Sequence, residues 1–324
     1  MVHRFIAYTI AALLLHQTVH AQSHQFNYPS RPIRILVPFP PGGATDIMAR
    51  TLGQKLTQRW GQQVIIDNRA GAGGSIAADL AARAAPDGHT LFFAASAQLA
   101  VNPHLYSKLG YDPIKDFAPV VLVGSGANIL VAHPSLPARS LKELIALAKA
   151  KPRSLHYASP GSGSTAHLSA ELLKIETGID IVHVPYKGGA PGVIDVLGGQ
   201  VPLMFISMPS VIGHVKAGKL IAIGVTSARR SDAAPSVPTF AETLPNFESS
   251  SWYGIVAPAR TPHGIIAKLN IEIVTSLKAA DVREIFSAQG TDIIGSAPDD
   301  FARYIKAELS KWAVVVAKSG ARVD

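Results

Sequence analysis

The run Ile33-Arg34-Ile35-Leu36-Val37-Pro38-Phe39-Pro40-Pro41-Gly42-Gly43-Ala44-Thr45-Asp46 passes from a buried strand, through a glycine break, into a helix. Ile33 to Phe39 is short and apolar, and Pro38 with Pro40-Pro41 closes it. Beyond Gly42-Gly43, Met48, Leu52, Leu56 and Trp60 recur at i+4 on one helical face. The same order then repeats. Val64 to Ile66 is a strand, followed by a loop holding Gly71, Gly73 and Gly74. An alanine-rich helix over Ser75 to Ala85 leads to the turn Pro86-Asp87-Gly88 and a strand at Thr90 to Ala94. Strand and helix in alternation predict an α/β fold with a largely parallel sheet covered on both faces.

Further along, Val120 to Val131 is a long apolar stretch interrupted by Gly124 and Gly126. Ser140-Leu141-Lys142-Glu143 has capping-box spacing and opens a helix with Leu141, Leu144, Ile145 and Leu147 on its apolar side. The alternation resumes with strands at Leu155 to Ala158, Ile179 to Val184, Val201 to Ile206 and Leu220 to Thr226. Helices at Thr165 to Thr177 and Pro191 to Leu197 lie among them. Ala233 to Ser251 is rich in Pro and Ser and reads as irregular. After a strand at Tyr253 to Ala257 the pattern is helical: Ile265 to Leu277, Asp281 to Gln289, and a last helix from near Ser296 with Phe301, Ile305, Leu309 and Trp312 on one face. Two αβ blocks joined by extended crossings at Val120 to Val131 and Ser251 to Pro258 imply that one lobe is inserted into the other. The expected lobes are 28–125 plus 254–324, and 126–253. Such a molecule opens and closes about a hinge.

Arg4, the apolar run Phe5 to Leu15 and the small-x-small site Val19-His20-Ala21 have the form of an export signal over residues 1–21. Such a segment predicts export. No stretch is long and apolar enough for a membrane helix. The absence of cysteine excludes disulfides, Cys-zinc sites and thiol nucleophiles. The formal charge is +8, but Lys and Arg are scattered, with Arg229-Arg230 the tight cluster. Without a basic stripe or interleaved aromatics, nucleic acid is not the expected partner. The positive field suits an anionic ligand or plain solubility. The twelve histidines are dispersed and give no metal spacing beyond His20 and His24, which straddle the cleavage site. No metal and no cofactor are expected.

Two loops are the main candidates for a site. In the first, Gly42, Gly43, Ala44 and Asp46 stand where a strand meets a helix start. Glycine lets a backbone approach a ligand closely. The open N–H groups of a first helical turn favour an anion. Asp46 could cap its own helix or receive a ligand amine. The second is Ser159-Pro160-Gly161-Ser162-Gly163-Ser164-Thr165, again between strand and helix, with amides and hydroxyls and no charge. Its candidate residues are Ser159, Gly161, Ser164 and Thr165. One loop from each lobe could close on a single anion. Ser96 and Gln98 follow a strand's C-terminal end, where open α/β sheets bind ligands. Tyr186, in Tyr186-Lys187-Gly188-Gly189, and Ser207 also follow strands. Lys187 reads equally as solvated surface. His167 and His183 read as packing residues rather than catalysts.

Enzyme motifs are weakly represented in the sequence. Gly161-Ser162-Gly163-Ser164-Thr165-Ala166 fits the dinucleotide pattern, but Asp180 sits at the start of its strand rather than at the end. The Gly-x-Ser-x-Gly elbow is absent, and Gly218-Lys219 is followed by Leu220, so no Walker loop forms. An exported hydrolase using a serine of the Ser159–Thr165 loop stays open as an alternative.

Taken in order, Val37-Pro38-Phe39-Pro40-Pro41-Gly42-Gly43, Asn68-Arg69-Ala70-Gly71-Ala72-Gly73-Gly74 and Asn102-Pro103-His104-Leu105-Tyr106 resemble one family. So do Ser159 to Leu168, Pro185-Tyr186-Lys187-Gly188, Lys216-Ala217-Gly218-Lys219-Leu220, Val237-Pro238-Thr239-Phe240, Trp252-Tyr253-Gly254 and Ala257-Pro258-Ala259-Arg260-Thr261-Pro262. The chain is similar, over essentially its whole mature length, to the Bug-type solute receptors of tripartite tricarboxylate transporters. That resemblance implies a type II periplasmic-binding-protein fold of two αβ lobes joined by two crossing strands, with no enzyme activity. It implies a small carboxylate as ligand: an organic, dicarboxylic, amino or aromatic acid. The implied partners are membrane permease subunits, with a sensor kinase as the alternative. The family's carboxylate loops match Gly42 to Asp46 and Ser159 to His167, which adds His167 to the candidates. Many relatives carry a polar or acidic residue where this chain has Ile206, so an amino-acid ligand is disfavoured.

Overall fold

The computed structural model describes residues 28–186 and 189–320. Residues 1–27, with the expected leader and its cleavage site, lie outside the described residues, as do Lys187 and Gly188. Ile33–Val37 is β1, with every residue but Arg34 buried. Then follow α1 (Ala44–Trp60), β2 (Val64–Asn68), α2 (Ser75–Ala82) and β3 (Thr90–Ala95). β1 pairs in parallel with β2 on one side and β3 on the other. A π-helical turn at Ala97–Val101 leads into the short α3, Asn102–Leu105. The sequence pattern does not announce this turn, because five residues are too few to show a period.

β4 runs for 16 residues, Phe117–Ala132. Beyond it come α4 (Leu141–Ala150), β5 (His156–Ser159), α5 (Thr165–Thr177), β6 (Val182–Pro185), α6 (Gly189–Leu197), β7 (Leu203–Ser207), α7 (Ile212–Lys216) and β8 (Ile221–Val225). β5 is parallel to both β6 and β7. The chain returns through β9 (Ser250–Pro258) and ends in α8 (His263–Leu277), α9 (Ala280–Ala288), β10 (Thr291–Ile293) and α10 (Pro298–Ser319).

The strand order is β2-β1-β3-β9-β4-β7-β5-β6, with β8 and β10 also paired to β4. The expected parallel pairing holds inside each αβ block. The crossings differ: β9 is antiparallel to both β3 and β4, and β7, β8 and β10 are antiparallel to β4. A strand that carries the chain out and another that brings it back must run in opposite senses. β4 is the joint. It lies along β9 as far as Ala127 and takes up β7 from Asn128. Gly124 is explained there, because a Cβ on it would stand 2.6 Å from the Asp292 carbonyl oxygen of β10.

Three apolar clusters fill the layers. Ile33, Ile35, Phe93, Leu52 and Ile273 belong to one, packing α1 and α8 on the first sheet. Ile129, Met204, Val225 and Val196 belong to another, under α6. The largest joins the two blocks, running from Phe92 through Leu130 and Phe205 to α10. In α10, Phe301, Ile305 and Trp312 are buried, as the i+4 pattern requires. Among the described residues no helix is long and apolar enough to cross a membrane.

Candidate functional site

α1 and α5 both begin at one cavity of about 470 Å³. Phe39, Thr45 and Gly73 line one side, and Pro160 to Thr165 line the other. Ala95, Ser96 and Ala97 come from the end of β3, Val101, Asn102, Leu105 and Tyr106 from the π-turn and α3, and Ser251 and Tyr253 from β9. None of these lining side chains is ionisable in the ordinary pH range except the two phenols. Burial pushes the Tyr253 phenol upward, so it stays a neutral hydroxyl. An anion here meets dipoles, not counter-charges.

The first loop is braced from behind. Asp46 is buried, and its carboxylate accepts from the Gly42 amide at 2.9 Å, Arg50 Nε at 3.0 Å and Asn68 Nδ2 at 2.9 Å. Burial opposes the charge, but the hydrogen bonds from Arg50, Gly42 and Asn68 prevail and hold the carboxyl below its usual range. This holds Gly42 at φ +88°, a left-handed value that a side chain would strain. α1 itself has no side-chain cap at Gly43. Among the described residues the amides of Ala44, Thr45 and Asp46 have no acceptor. This is an uncapped helix start with its partial positive charge exposed at the cavity wall.

The second loop is held differently. Ser164 caps α5 by accepting from the His167 amide at 3.2 Å, and its hydroxyl donates to the Gly161 carbonyl at 2.7 Å. Gly163, at φ +77°, donates its amide to His167 Nδ1 at 3.2 Å. Thr165 Oγ1 and Ser251 Oγ lie 2.8 Å apart, which ties the loop to β9.

Of the residues singled out from sequence, Ser96, Gly161, Ser164 and Thr165 line the cavity. Gly42, Gly43, Ala44 and Asp46 stand just behind Thr45 and shape its loop. Gln98 is buried and braces the wall, accepting from the Ala95 amide at 2.9 Å and donating to the Gly73 carbonyl at 2.7 Å. Ser159 is fully buried, its Oγ 2.6 Å from His183 Nε2. His167 is buried beneath the loop rather than in the cavity. Tyr186 donates to Asp195 at 2.5 Å, and that carboxylate raises the phenol to about 12. Ser207 is exposed beside Ser210. Ile206 is buried in the core beneath α6 and is not among the residues that line the cavity.

Phe39, Gly73, Leu105, Tyr106, Ser251 and Tyr253 were not foreseen as lining residues. Their signal lay in the motif strings around Asn68–Gly74, Asn102–Tyr106 and Trp252–Gly254, which carry no chemistry readable one residue at a time. No group of three or more His, Asp or Glu able to hold a metal occurs among the described residues.

Two αβ lobes joined by crossing strands, with an uncharged cleft between paired helix starts, make this a solute receptor of the type II periplasmic-binding-protein fold. The chain belongs to the tripartite tricarboxylate transporter receptor family, TctC, which it matches over residues 48–321. It is 43% identical over 298 residues to protein BugT of Bordetella pertussis, covering 91% of both chains. Among solved structures it is similar to an R. palustris protein with adipate, at 36% identity and TM-score 0.75, covering 91% of this chain and 100% of that one. It is also similar to MatC from Rhodopseudomonas palustris with bound malate, at 34% identity and TM-score 0.71, covering 89% and 100%.

Proposed function

We propose that this protein captures a small organic carboxylate in the periplasm and delivers it to the permease subunits of a tripartite transporter. One observation carries the reading: the starts of α1 and α5 meet at a single cleft whose lining is uncharged. Helix N-termini bind carboxylates through amide hydrogens and aligned dipoles. Charge-assisted hydrogen bonds contribute roughly 1.5–3 kcal/mol each. Three or four of them, after ordering costs, support binding near −8 kcal/mol, or about micromolar. The adipate- and malate-bound relatives support a four- to six-carbon acid, and the apolar wall of Phe39, Val101 and Leu105 admits an aromatic one.

The lobes of the proposed receptor are 28–125 plus 254–324, and 126–253. The change of β4 from β9 to β7 at Ala127–Asn128 supports that boundary. Closure about this joint brings the second loop onto an acid already docked on the first. The protein turns nothing over in this reading. The fully buried Ser159 and the His167 Nδ1 already occupied by Gly163 argue against a serine nucleophile in the loop.

The test is a thermal-shift and calorimetry series with adipate, malate and benzoate against their methyl esters. Bound ligand raises the melting temperature in line with RT ln(1 + [L]/Kd). The acids should stabilise and the esters should not. Equal stabilisation by acid and ester would remove the anion from the proposal. Hydrolysis of the esters by purified protein would restore the hydrolase.

A further inference from the structure

We infer that His167 and His183 are positioning residues of the anion loop: a stack of Tyr157, His183 and His167 beneath Gly161–Ser164 turns two of its amides inward and fixes the others for the ligand. The stack is explicit. The His167 and His183 rings are 4.1 Å apart and inclined by 19°, and the Tyr157 and His183 rings are 4.9 Å apart and inclined by 20°. The upper ring accepts the Gly163 amide at Nδ1, 3.2 Å away. The middle ring is reached through Ser159, whose Oγ accepts the Gly161 amide at 3.2 Å and lies 2.6 Å from His183 Nε2. Alternate residues of the loop are thus pinned from below, while Ser162 between them is exposed. The amides of Ser162, Thr165 and Ala166 have no acceptor among the described residues.

His167 can receive the Gly163 amide only as an acceptor at Nδ1, hence in its neutral form. With Nδ1 accepting, the His167 proton sits on Nε2, which faces Glu171 Oε1 at 3.9 Å. The same carboxylate accepts from Tyr157 Oη at 2.8 Å and Lys174 Nζ at 2.9 Å, so the base of the stack is fixed too. Burial lowers the affinity of both imidazoles for a proton, which agrees with two neutral rings. A loop of glycines has no side-chain packing of its own to hold its amides in place. The stack supplies that rigidity, and ligand affinity depends on it.

The inference rests on carboxylate capture at this loop, so one readout is chosen that needs no ligand. Amide exchange at Gly163 is measured by NMR in wild type, His167→Asn and His167→Phe, alongside calorimetry with adipate and malate. Asn places an acceptor oxygen near the Nδ1 position, whereas Phe keeps the ring and loses the acceptor. Gly163 should exchange slowly in wild type and His167→Asn and fast in His167→Phe. Affinity should fall about tenfold or more in His167→Phe and recover most of that in His167→Asn. Unprotected Gly163 in the wild type, or equal affinity losses in both variants, overturns the inference. If neither acid binds the wild type, the carboxylate proposal falls while the exchange result still decides this one. If His167→Phe does not fold, His183→Asn and the wild-type exchange profile decide it by the same criteria.

Discussion

Gly43 sits at the N-cap of α1 with φ −81° and ψ 166°, a conformation open to any residue, and a Cβ there would meet nothing nearer than 3.9 Å. Asp is a strong N-cap, though it exceeds Gly by only about a few tenths of a kcal/mol. Gly43→Asp should therefore raise the melting temperature of the ligand-free protein slightly. The same carboxylate would occupy the amides that the ligand needs, so the shift induced by adipate or malate should vanish. A variant that is stabilised and still responds to acid would move the binding site away from α1. His183 makes a second prediction at this scale. Burial first, then the neighbouring His167 and Lys174, lower its pKa from 6.5 to about 4. The unfolded chain takes up a proton more readily than the folded one between these values. The stability that follows is complete above about pH 6.5 and is lost as pH falls toward 4. After discounting for partial exposure it amounts to roughly 2 kcal/mol. Urea denaturation of wild type and His183→Asn at pH 7 and pH 4.5 should show a smaller acid loss in the variant. Residue types at this scale were readable, but partners were not. Asp46 looked equally fit to cap or to meet an amine, and only Arg50, Gly42 and Asn68 closing on it decide the matter.

Among the elements, the contrast between helix starts is informative. α4 is capped by Ser140, whose Oγ accepts from the Glu143 amide at 3.2 Å, while the Glu143 carboxylate reaches back to the Arg139 amide at 2.6 Å. α5 is capped by Ser164 in the same way. Ser140→Ala should cost about 1 kcal/mol and leave ligand binding untouched. Ser164→Ala should cost a similar amount and weaken binding as well, because its hydroxyl also fixes the Gly161 carbonyl. Paired denaturation and calorimetry separate the two effects, and equal binding in both variants would mean that Ser164 is a cap alone. The elements most legible in the sequence were those with a full period: α1 and α10 show an apolar face at helical spacing, and β1 and β3 show apolar runs. The π-turn at Ala97–Val101 and the three-residue β10 were not legible. Each is held by partners distant in sequence: Tyr111 Oη donates to the Gln98 carbonyl at 2.7 Å, and β10 pairs with Gly124 to Gly126.

For the whole molecule, the two crossings and the helical tail have to act as one body. Trp252 of β9 and Trp312 of α10 both donate their indole N–H to Glu308 Oε2, each at 2.9 Å. Lys311 pairs with the same carboxylate, which is only 4% exposed. One buried acid thus fastens the last helix to the returning strand, beside the joint at Ala127–Asn128. Such a pair is costly to break because its partners cannot regain water. Glu308→Ala leaves two buried donors unsatisfied and opens a void, so it should destabilise by roughly 3–5 kcal/mol. Glu308→Gln keeps an acceptor oxygen between the indoles and should cost clearly less, since only the charge and the Lys311 pairing are lost. Urea denaturation followed by tryptophan fluorescence measures both. The order matters more than the sizes. If Gln is as damaging as Ala, the charge itself holds the joint. If Ala is mild, α10 is held by its apolar face alone, and the lobes turn about β4 and β9 without this fastening.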